Sequence, residues 1–106
     1  MYERKYNWLD VIKSIDSGAQ SKISEVIEYI YRRDSKIPRK YKELILMACS
    51  AALRYGSSIR THGKEAMHYG ATEEEVVEAL CLASLSSGFT AIIDGIEALG
   101  DQLTKQ

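Results

Sequence analysis

This chain has very little proline and glycine: its 106 residues include one proline and seven glycines. Helix-breaking residues are therefore too few to interrupt the chain often. Apolar residues recur every three or four positions, and no stretch alternates between apolar and polar residues as a half-buried strand does. These features predict an all-α fold of about six short helices, and the length predicts a single domain over residues 1–106.

A strong charge of either sign and a long apolar run are also missing. The formal net charge is -1, so the chain lacks the positive field that attracts nucleic acid or anionic lipid. The longest uninterrupted apolar run, Leu44 to Cys49, is far shorter than the roughly 18 residues of a membrane span. The amino-terminal sequence MYERKYNW lacks the apolar core of a signal peptide. We therefore expect a cytoplasmic protein that binds neither nucleic acid nor a membrane.

Cysteine is scarce as well, since the chain contains only Cys49 and Cys81. The two lie far apart and outside any C-x-x-C pattern, which is the spacing of many zinc sites and of vicinal redox pairs. Both fall inside helical patterns, so we predict two reduced cysteines that pack as small core hydrophobes. The sequence gives no reason to expect a metal ion or another cofactor.

What the chain does contain is a series of apolar stripes at helical spacing, separated by short junctions. The predicted helices cover approximately residues 8–17, 23–34, 38–55, 57–70, 73–88 and 88–103. The basic segment 32–42 is predicted to be a solvated turn and helix entrance. Thr72 and Glu75 form the sequence pattern of a capping box at the start of the fifth helix.

The third predicted helix carries the sequence LILMACSAAL and is apolar on nearly all sides. Such a helix belongs in the centre of an assembly, because every side requires cover from solvent. One short chain supplies limited cover for this helix and for the other apolar stripes. Uncovered stripes usually mark subunit contacts, so we expect a homo-oligomer.

A candidate site is suggested by the segment YGSSIRTHGKEAMHYG, residues 55–70. Ser58 and His62 are one helical turn apart and share a face, and the Tyr55 hydroxyl is expected at the same junction as Ser58. The amides of the first turn, including those of Ser58 and Ile59, and the positive end of the helix dipole favour an anion such as a substrate carboxylate. His62 can exchange a proton near neutral pH if a carboxylate orients it.

Glu43 is the carboxylate of interest, because it interrupts the apolar third helix, where a charged group needs a partner. Sequence spacing alone does not pair Glu43 with His62. Two interpretations therefore stay open. Either the two residues form an acid and base pair, or Glu43 interacts with its own helix dipole while His62 is a partly buried histidine with a local hydrogen bond.

The stretch YKELILMACSAALRYGSSIRTHGKEAMHYGATEEEVVEALCLASLSSGF resembles the carboxymuconolactone decarboxylase and alkylhydroperoxidase D-like superfamily. The resemblance implies a small all-helical protein that assembles as a homotrimer or homohexamer. Peroxide-reducing members carry C-x-x-C-x-x-x-H and a glutamate in the preceding helix. On this sequence the histidine falls on His62, the glutamate on Glu43, and the two cysteines on Tyr55 and Ser58.

The missing cysteine pair decides what the resemblance implies about function. A thiolate attacks a peroxide and a second thiol resolves the product, which tyrosine and serine cannot do. The lactone-decarboxylating branch also lacks the pair and uses no cofactor. The resemblance therefore implies cofactor-free acid and base chemistry on a small carboxylated or lactone-like molecule, with Glu43 and His62 catalytic and Tyr55 and Ser58 binding substrate.

Two alternatives to this function stay open. One is an antioxidant, oxygen-detoxifying peroxidase of the alkylhydroperoxidase or peroxiredoxin type that uses Cys49 or Cys81. The other is a non-catalytic oligomeric binding protein that has kept the fold and lost the chemistry.

Overall fold

The computed structural model describes residues 5–103, and every regular element among them is helical. The α-helices of this part of the chain are α1 (Trp8–Ile15), α2 (Ser17–Ile27), α3 (Arg39–Ala52), α4 (Gly56–His68), α5 (Glu73–Ser87) and α6 (Thr90–Leu99). A π-helical turn, Glu28–Arg32, continues α2, and a 3₁₀ turn, Gly100–Gln102, continues α6. The prediction of an all-α fold with six short helices is confirmed.

Side-chain caps explain where several of these helices begin. Asp16 ends α1 in an extended conformation, and its side chain accepts a hydrogen bond from the Ala19 amide at 3.0 Å. This cap starts α2 well before the first apolar residue of the predicted stripe. At the start of α5, Thr72 and Glu75 exchange two hydrogen bonds of 3.0 Å, which confirms the predicted capping box.

An ion pair joins the start of α3 to the start of α5. Nζ of Lys40 lies 3.2 Å from Oε2 of Glu75. The Thr72 amide and then the Lys40 ammonium lower the pKa of Glu75, and the hydrogen bond to Glu75 raises the pKa of Lys40. Both side chains are partly exposed, so the pair fixes geometry more than it adds stability.

Within the described residues the chain divides into two compact units, with the division between Lys36 and Ile37. The first unit contains α1, α2 and the π-helical turn, and none of its described residues is buried. The second unit contains α3 to α6 and carries the buried core. This division does not decide the prediction of a single domain, which stays a prediction.

The core of the second unit forms where α3 packs against α4, α5 and α6, and where α6 packs against α4 and α5. Its largest fully buried apolar side chains belong to Met47, Ile59, Val76, Leu80 and Leu99. These residues come from all four helices, so no helix of the second unit buries its apolar side without the others.

Two glycines allow α6 to approach its neighbours closely. A Cβ added to Gly95 would lie 2.5 Å from Cδ2 of Leu80, and one added to Gly63 would lie 2.7 Å from Cδ1 of Leu99. Both leucines are fully buried and have little room to move aside. The absence of a side chain at these two positions therefore sets the distances between α5 and α6 and between α4 and α6.

The exposed surface bears on two sequence predictions. Ile45, on α3, is 49% exposed, and Leu53, directly after α3, is 77% exposed, so one chain leaves part of this apolar helix uncovered. That the helix lies in the centre of an assembly stays a prediction. Cys49 and Cys81 are exposed free cysteines, not core residues, because both lie on the outer sides of their helices. None of the helices in the described part of the chain is long and apolar enough to cross a membrane.

Candidate active site

The site is built on the buried side of α3. This side consists of Glu43, Met47, Ser50 and Ala51, which recur at helical spacing. Glu43 is the charged member of the set, and it has no solvent exposure. A carboxylate without water must obtain its hydrogen bonds from the protein, because an unpartnered buried charge is costly.

Each oxygen of the Glu43 carboxylate has a partner. Oε1 lies 2.7 Å from Nδ1 of His62 in α4, and Oε2 accepts a hydrogen bond of 2.7 Å from Nε of Arg39. The His62 and Arg39 side chains are 20% and 26% exposed. The structure therefore brings the two predicted catalytic residues, Glu43 and His62, into direct contact. Sequence spacing alone could not predict this contact.

The contact between Glu43 and His62 determines which nitrogen of the neutral imidazole carries the proton. A carboxylate oxygen can only accept, so the neutral ring donates its proton from Nδ1. Its lone pair then lies on Nε2, the nitrogen that exchanges protons with another group. A positioned histidine with a buried carboxylate behind it is an arrangement suited to general acid and base catalysis.

Ser58 is held by the preceding helix. Its Oγ lies 2.8 Å from Oγ of Ser50, which is 7% exposed and also lies 2.8 Å from the carbonyl oxygen of Leu46. Ser58 precedes His62 by one helical turn, as predicted, but the hydrogen bond described for its hydroxyl goes to α3. Ser58 is thus anchored beside the pair of Glu43 and His62 without being shown to contact it.

Tyr55 occupies the junction between α3 and α4, directly before the first residue of α4, and is 54% exposed. Its carbonyl oxygen accepts hydrogen bonds from the amides of Ser58 at 3.1 Å and Ile59 at 3.0 Å. These two amides are therefore already engaged, contrary to the expectation that they would be free to bind an anion.

Sequence reasoning missed Arg39 and Ser50 as members of this cluster. Arg39 belongs to the basic segment predicted to be a solvated turn and helix entrance, although it precedes Glu43 by four residues, the spacing of a helical ion pair. That spacing was the available signal. Ser50 offered none, because a serine within an apolar helix is usually accounted for by a bond to its own helix, which Ser50 also makes.

The cysteines lie away from the buried side of α3 and α5. Cys49 follows Glu43 by six residues, which at about 100° per residue places it far around the helix from the carboxylate, and it is exposed. Cys81 is exposed on α5, next to the buried Leu80. Among residues 5–103, no group of three histidine, cysteine or carboxylate side chains is arranged to hold a metal ion.

Comparison with known proteins identifies a family that this chain matches. The model of the Carboxymuconolactone decarboxylase family matches residues 18–101, which is most of the chain. The matched range contains Glu43, Tyr55, Ser58 and His62. A comparison with curated proteins gave no match.

Proposed function

The chain belongs to the carboxymuconolactone decarboxylase family, and from that premise we propose that it catalyses cofactor-free proton transfer on a small carboxylated or lactone-like molecule. In this proposal His62 is the acid and base, Glu43 orients it, and Ser58 and Tyr55 bind the substrate. The observation that carries the proposal is the 2.7 Å contact between Nδ1 of His62 and a carboxylate that is completely buried.

The proposed reaction needs a group that can first hold and then deliver a proton. When an unsaturated lactone carboxylate loses carbon dioxide, the electron pair of the broken carbon–carbon bond stays on the ring as an enolate. A proton from the charged imidazole then adds to carbon, and the imidazole regains a proton from water. Glu43 stabilises the charged form of His62 during this cycle, because its carboxylate lies against Nδ1.

The roles proposed for Ser58 and Tyr55 rest on their places around α4. Ser58 is fixed by its 2.8 Å bond to Ser50, so its hydroxyl has a defined position one turn before His62. Tyr55 is half exposed at the entrance to the same helix. We assign to both hydroxyls the hydrogen bonds that hold the carboxylate or lactone oxygens of the substrate.

Replacement of His62 by glutamine tests this function. The protein is incubated in D₂O with carboxymuconolactone and with simpler unsaturated lactone carboxylates, and carbon dioxide release and deuterium on carbon are measured by NMR. We expect the variant to be slower by about a hundredfold or more, since general acid and base catalysis contributes roughly 10² to 10⁴. His68→Gln is the matched control, because His68 is an exposed histidine at the end of the same helix.

The same assay separates the alternatives. Turnover that persists in the H62Q variant contradicts the proposal. Failure of the wild-type protein on every lactone, combined with consumption of hydroperoxide in the presence of a dithiol, favours the peroxidase alternative, and Cys49→Ser and Cys81→Ser variants identify its thiol. Binding of a lactone without turnover favours the non-catalytic alternative.

We further propose that the chain forms a homotrimer or homohexamer through apolar side chains on α5, on α6 and at the junction between these two helices. Leu85 is 81%, Phe89 is 75% and Ile93 is 62% exposed, and a net charge of -1 provides little repulsion between copies.

We expect light scattering to give a trimeric or hexameric mass for the wild type and the mass of one chain for L85K/F89K. Ile15→Lys, an equally exposed apolar position in α1, is the control and should keep the wild-type mass. A wild-type protein of single-chain mass would contradict this proposal.

A further inference from the structure

Three oxygen atoms form a chain from the buried side of α3 to the first turn of α4. Oγ of Ser50 lies 2.8 Å from the carbonyl oxygen of Leu46 and 2.8 Å from Oγ of Ser58. Ser50 is buried, whereas Ser58 is partly exposed and lies one helical turn before His62. Ser50 thus connects a carbonyl group inside the protein to a hydroxyl group at the candidate site.

The two short contacts determine where the hydroxyl protons lie. Each contact has the length of an O–H···O hydrogen bond, and a proton is needed between the two oxygen atoms of each. The Leu46 carbonyl oxygen can only accept, so the Ser50 hydroxyl donates to it. Ser50 has no second hydroxyl proton. The contact between the two serines is therefore made by the Ser58 hydroxyl, which donates to Ser50.

This direction of the hydrogen bonds limits what Ser58 can bind. With its proton directed toward Ser50, the Ser58 hydroxyl offers only lone pairs to another molecule. A substrate carboxylate is itself an acceptor and needs a donor. The proposed contact between Ser58 and the substrate therefore requires both hydroxyls to rotate, so that Ser50 donates to Ser58 and Ser58 donates to the carboxylate.

The Leu46 carbonyl group allows this rotation. In an α-helix the carbonyl oxygen of one residue accepts the amide of the fourth residue after it, and within α3 this pairs Leu46 with the Ser50 amide. Leu46 thus remains hydrogen-bonded when the Ser50 hydroxyl turns away. The bond that is lost joins neutral groups, whereas the bond gained with a carboxylate is charge-assisted and stronger. Binding of the carboxylate can therefore drive the rotation.

We infer that Ser50 is a positioning residue that lets Ser58 change from an acceptor to a donor when a carboxylate binds. The inference rests on the proposed function, because that function makes Ser58 the residue in contact with the substrate. In the bound state Ser58 accepts from Ser50 while it donates to the carboxylate, and successive hydrogen bonds of this kind strengthen one another. Ser50 acts through Ser58 and is not assigned any contact with the substrate.

Replacement of Ser50 by alanine tests the inference through the binding of paraconate, a saturated lactone carboxylate. Paraconate has no carbon–carbon double bond to take up the electron pair left by carbon dioxide, so its binding is measured without turnover. The dissociation constant is obtained from the shifts of the backbone amide signals of α4 in an NMR titration. We expect Ser50→Ala to raise this constant by roughly five- to tenfold, the effect of losing one hydrogen bond.

Ser84→Ala is the matched control. Ser84 is as buried as Ser50, and its Oγ lies 2.6 Å from the carbonyl oxygen of Cys81, so its described hydrogen bond stays within α5. The S84A variant should keep the wild-type affinity for paraconate. Ser50→Cys fills the volume of serine with a group that is only a weak donor, so it should weaken binding as S50A does, and it takes the place of S50A if the alanine variant does not fold.

A double-mutant cycle shows whether Ser50 acts through Ser58. We expect Ser58→Ala to weaken paraconate binding at least as much as S50A, and S50A to have no further effect in the S58A background. In the lactone assay S50A should raise KM and leave kcat nearly unchanged, because the carboxylate is held equally in the ground state and in the transition state.

The inference is overturned if paraconate does not bind to the wild type, if S50A or S50C keeps the wild-type affinity, or if S50A weakens binding equally with and without the Ser58 hydroxyl. The binding results do not depend on turnover. Weaker binding in S50A together with undiminished turnover in H62Q would uphold the role of Ser50 and reject the proposed function. Loss of turnover in H62Q with unchanged paraconate affinity in S50A would do the reverse.

Discussion

Glu43→Ala is expected to lower the free energy of unfolding by about 3 to 5 kcal/mol, the usual cost of breaking a buried ion pair by removing one partner. The carboxylate is completely buried and accepts from Arg39 and His62 at 2.7 Å. Alanine removes the acceptor of both donors and also leaves unfilled volume beside Met47. Urea unfolding at one fixed protein concentration measures the change, since self-association would otherwise contribute to it.

Two other variants separate the carboxylate from its surroundings. Glu43→Gln keeps the volume and one acceptor oxygen, so we expect it to cost clearly less than alanine. Glu65→Ala removes a partly exposed carboxylate from α4 and should stay within about 0.5 kcal/mol of wild type. A cost for E43A no greater than that of the Glu65 variant would mean that water reaches the carboxylate and that the site is not sheltered.

Leu80→Ala is expected to lower the free energy of unfolding by about 2 to 5 kcal/mol, because it leaves a cavity at a fully buried position. The more specific expectation concerns Gly95. In the wild type, Gly95→Ala places a methyl group 2.5 Å from Leu80, and overpacking of roughly 1 to 3 kcal/mol outweighs the better helix propensity of alanine. In the L80A background the methyl group has room, so the same change should stabilise α6 by about 1 kcal/mol.

A double-mutant cycle from urea unfolding measures this reversal of sign. Gly100→Ala is the matched control, since a Cβ added at Gly100 meets nothing within 4 Å, and its effect should be the same in both backgrounds. Equal effects of G95A in the two backgrounds would show that Leu80 moves aside at no cost, and the close approach of α5 and α6 would then not depend on the glycine.

Much of the fold follows from local sequence, and the exceptions have physical causes. The apolar spacing and the pattern of Thr72 and Glu75 predict helices because both depend on residues within one or two turns. The apolar stripe alone places the start of α2 too late, because Asp16 caps a polar first turn that apolar periodicity cannot detect. Limited cover of α3 by one chain was expected, but which side of this apolar helix stays exposed depends on where the neighbouring helices pack, which composition does not give.

The candidate site also combines features that follow from local sequence with features that do not. Charge and burial single out Glu43, and titration chemistry singles out His62, but among the sequence arguments only the family resemblance places the two residues together. Their contact depends on the crossing of α3 and α4, which is not encoded in the spacing of either residue. The bond of Ser58 to Ser50 depends on the same crossing, whereas the pair of Arg39 and Glu43 lies within one helix and was within reach of sequence analysis.

Gly63 follows His62 directly and faces Leu99, with no space for a methyl group between them. Helix α4 is therefore constrained on two sides at adjacent residues, by a backbone contact with α6 and by the imidazole contact with α3. A homologue with a side chain at position 63 must therefore carry a smaller residue in place of Leu99, or its α4 must shift away from α6. A substitution at position 63 therefore affects both the packing of the interior and the alignment of the imidazole.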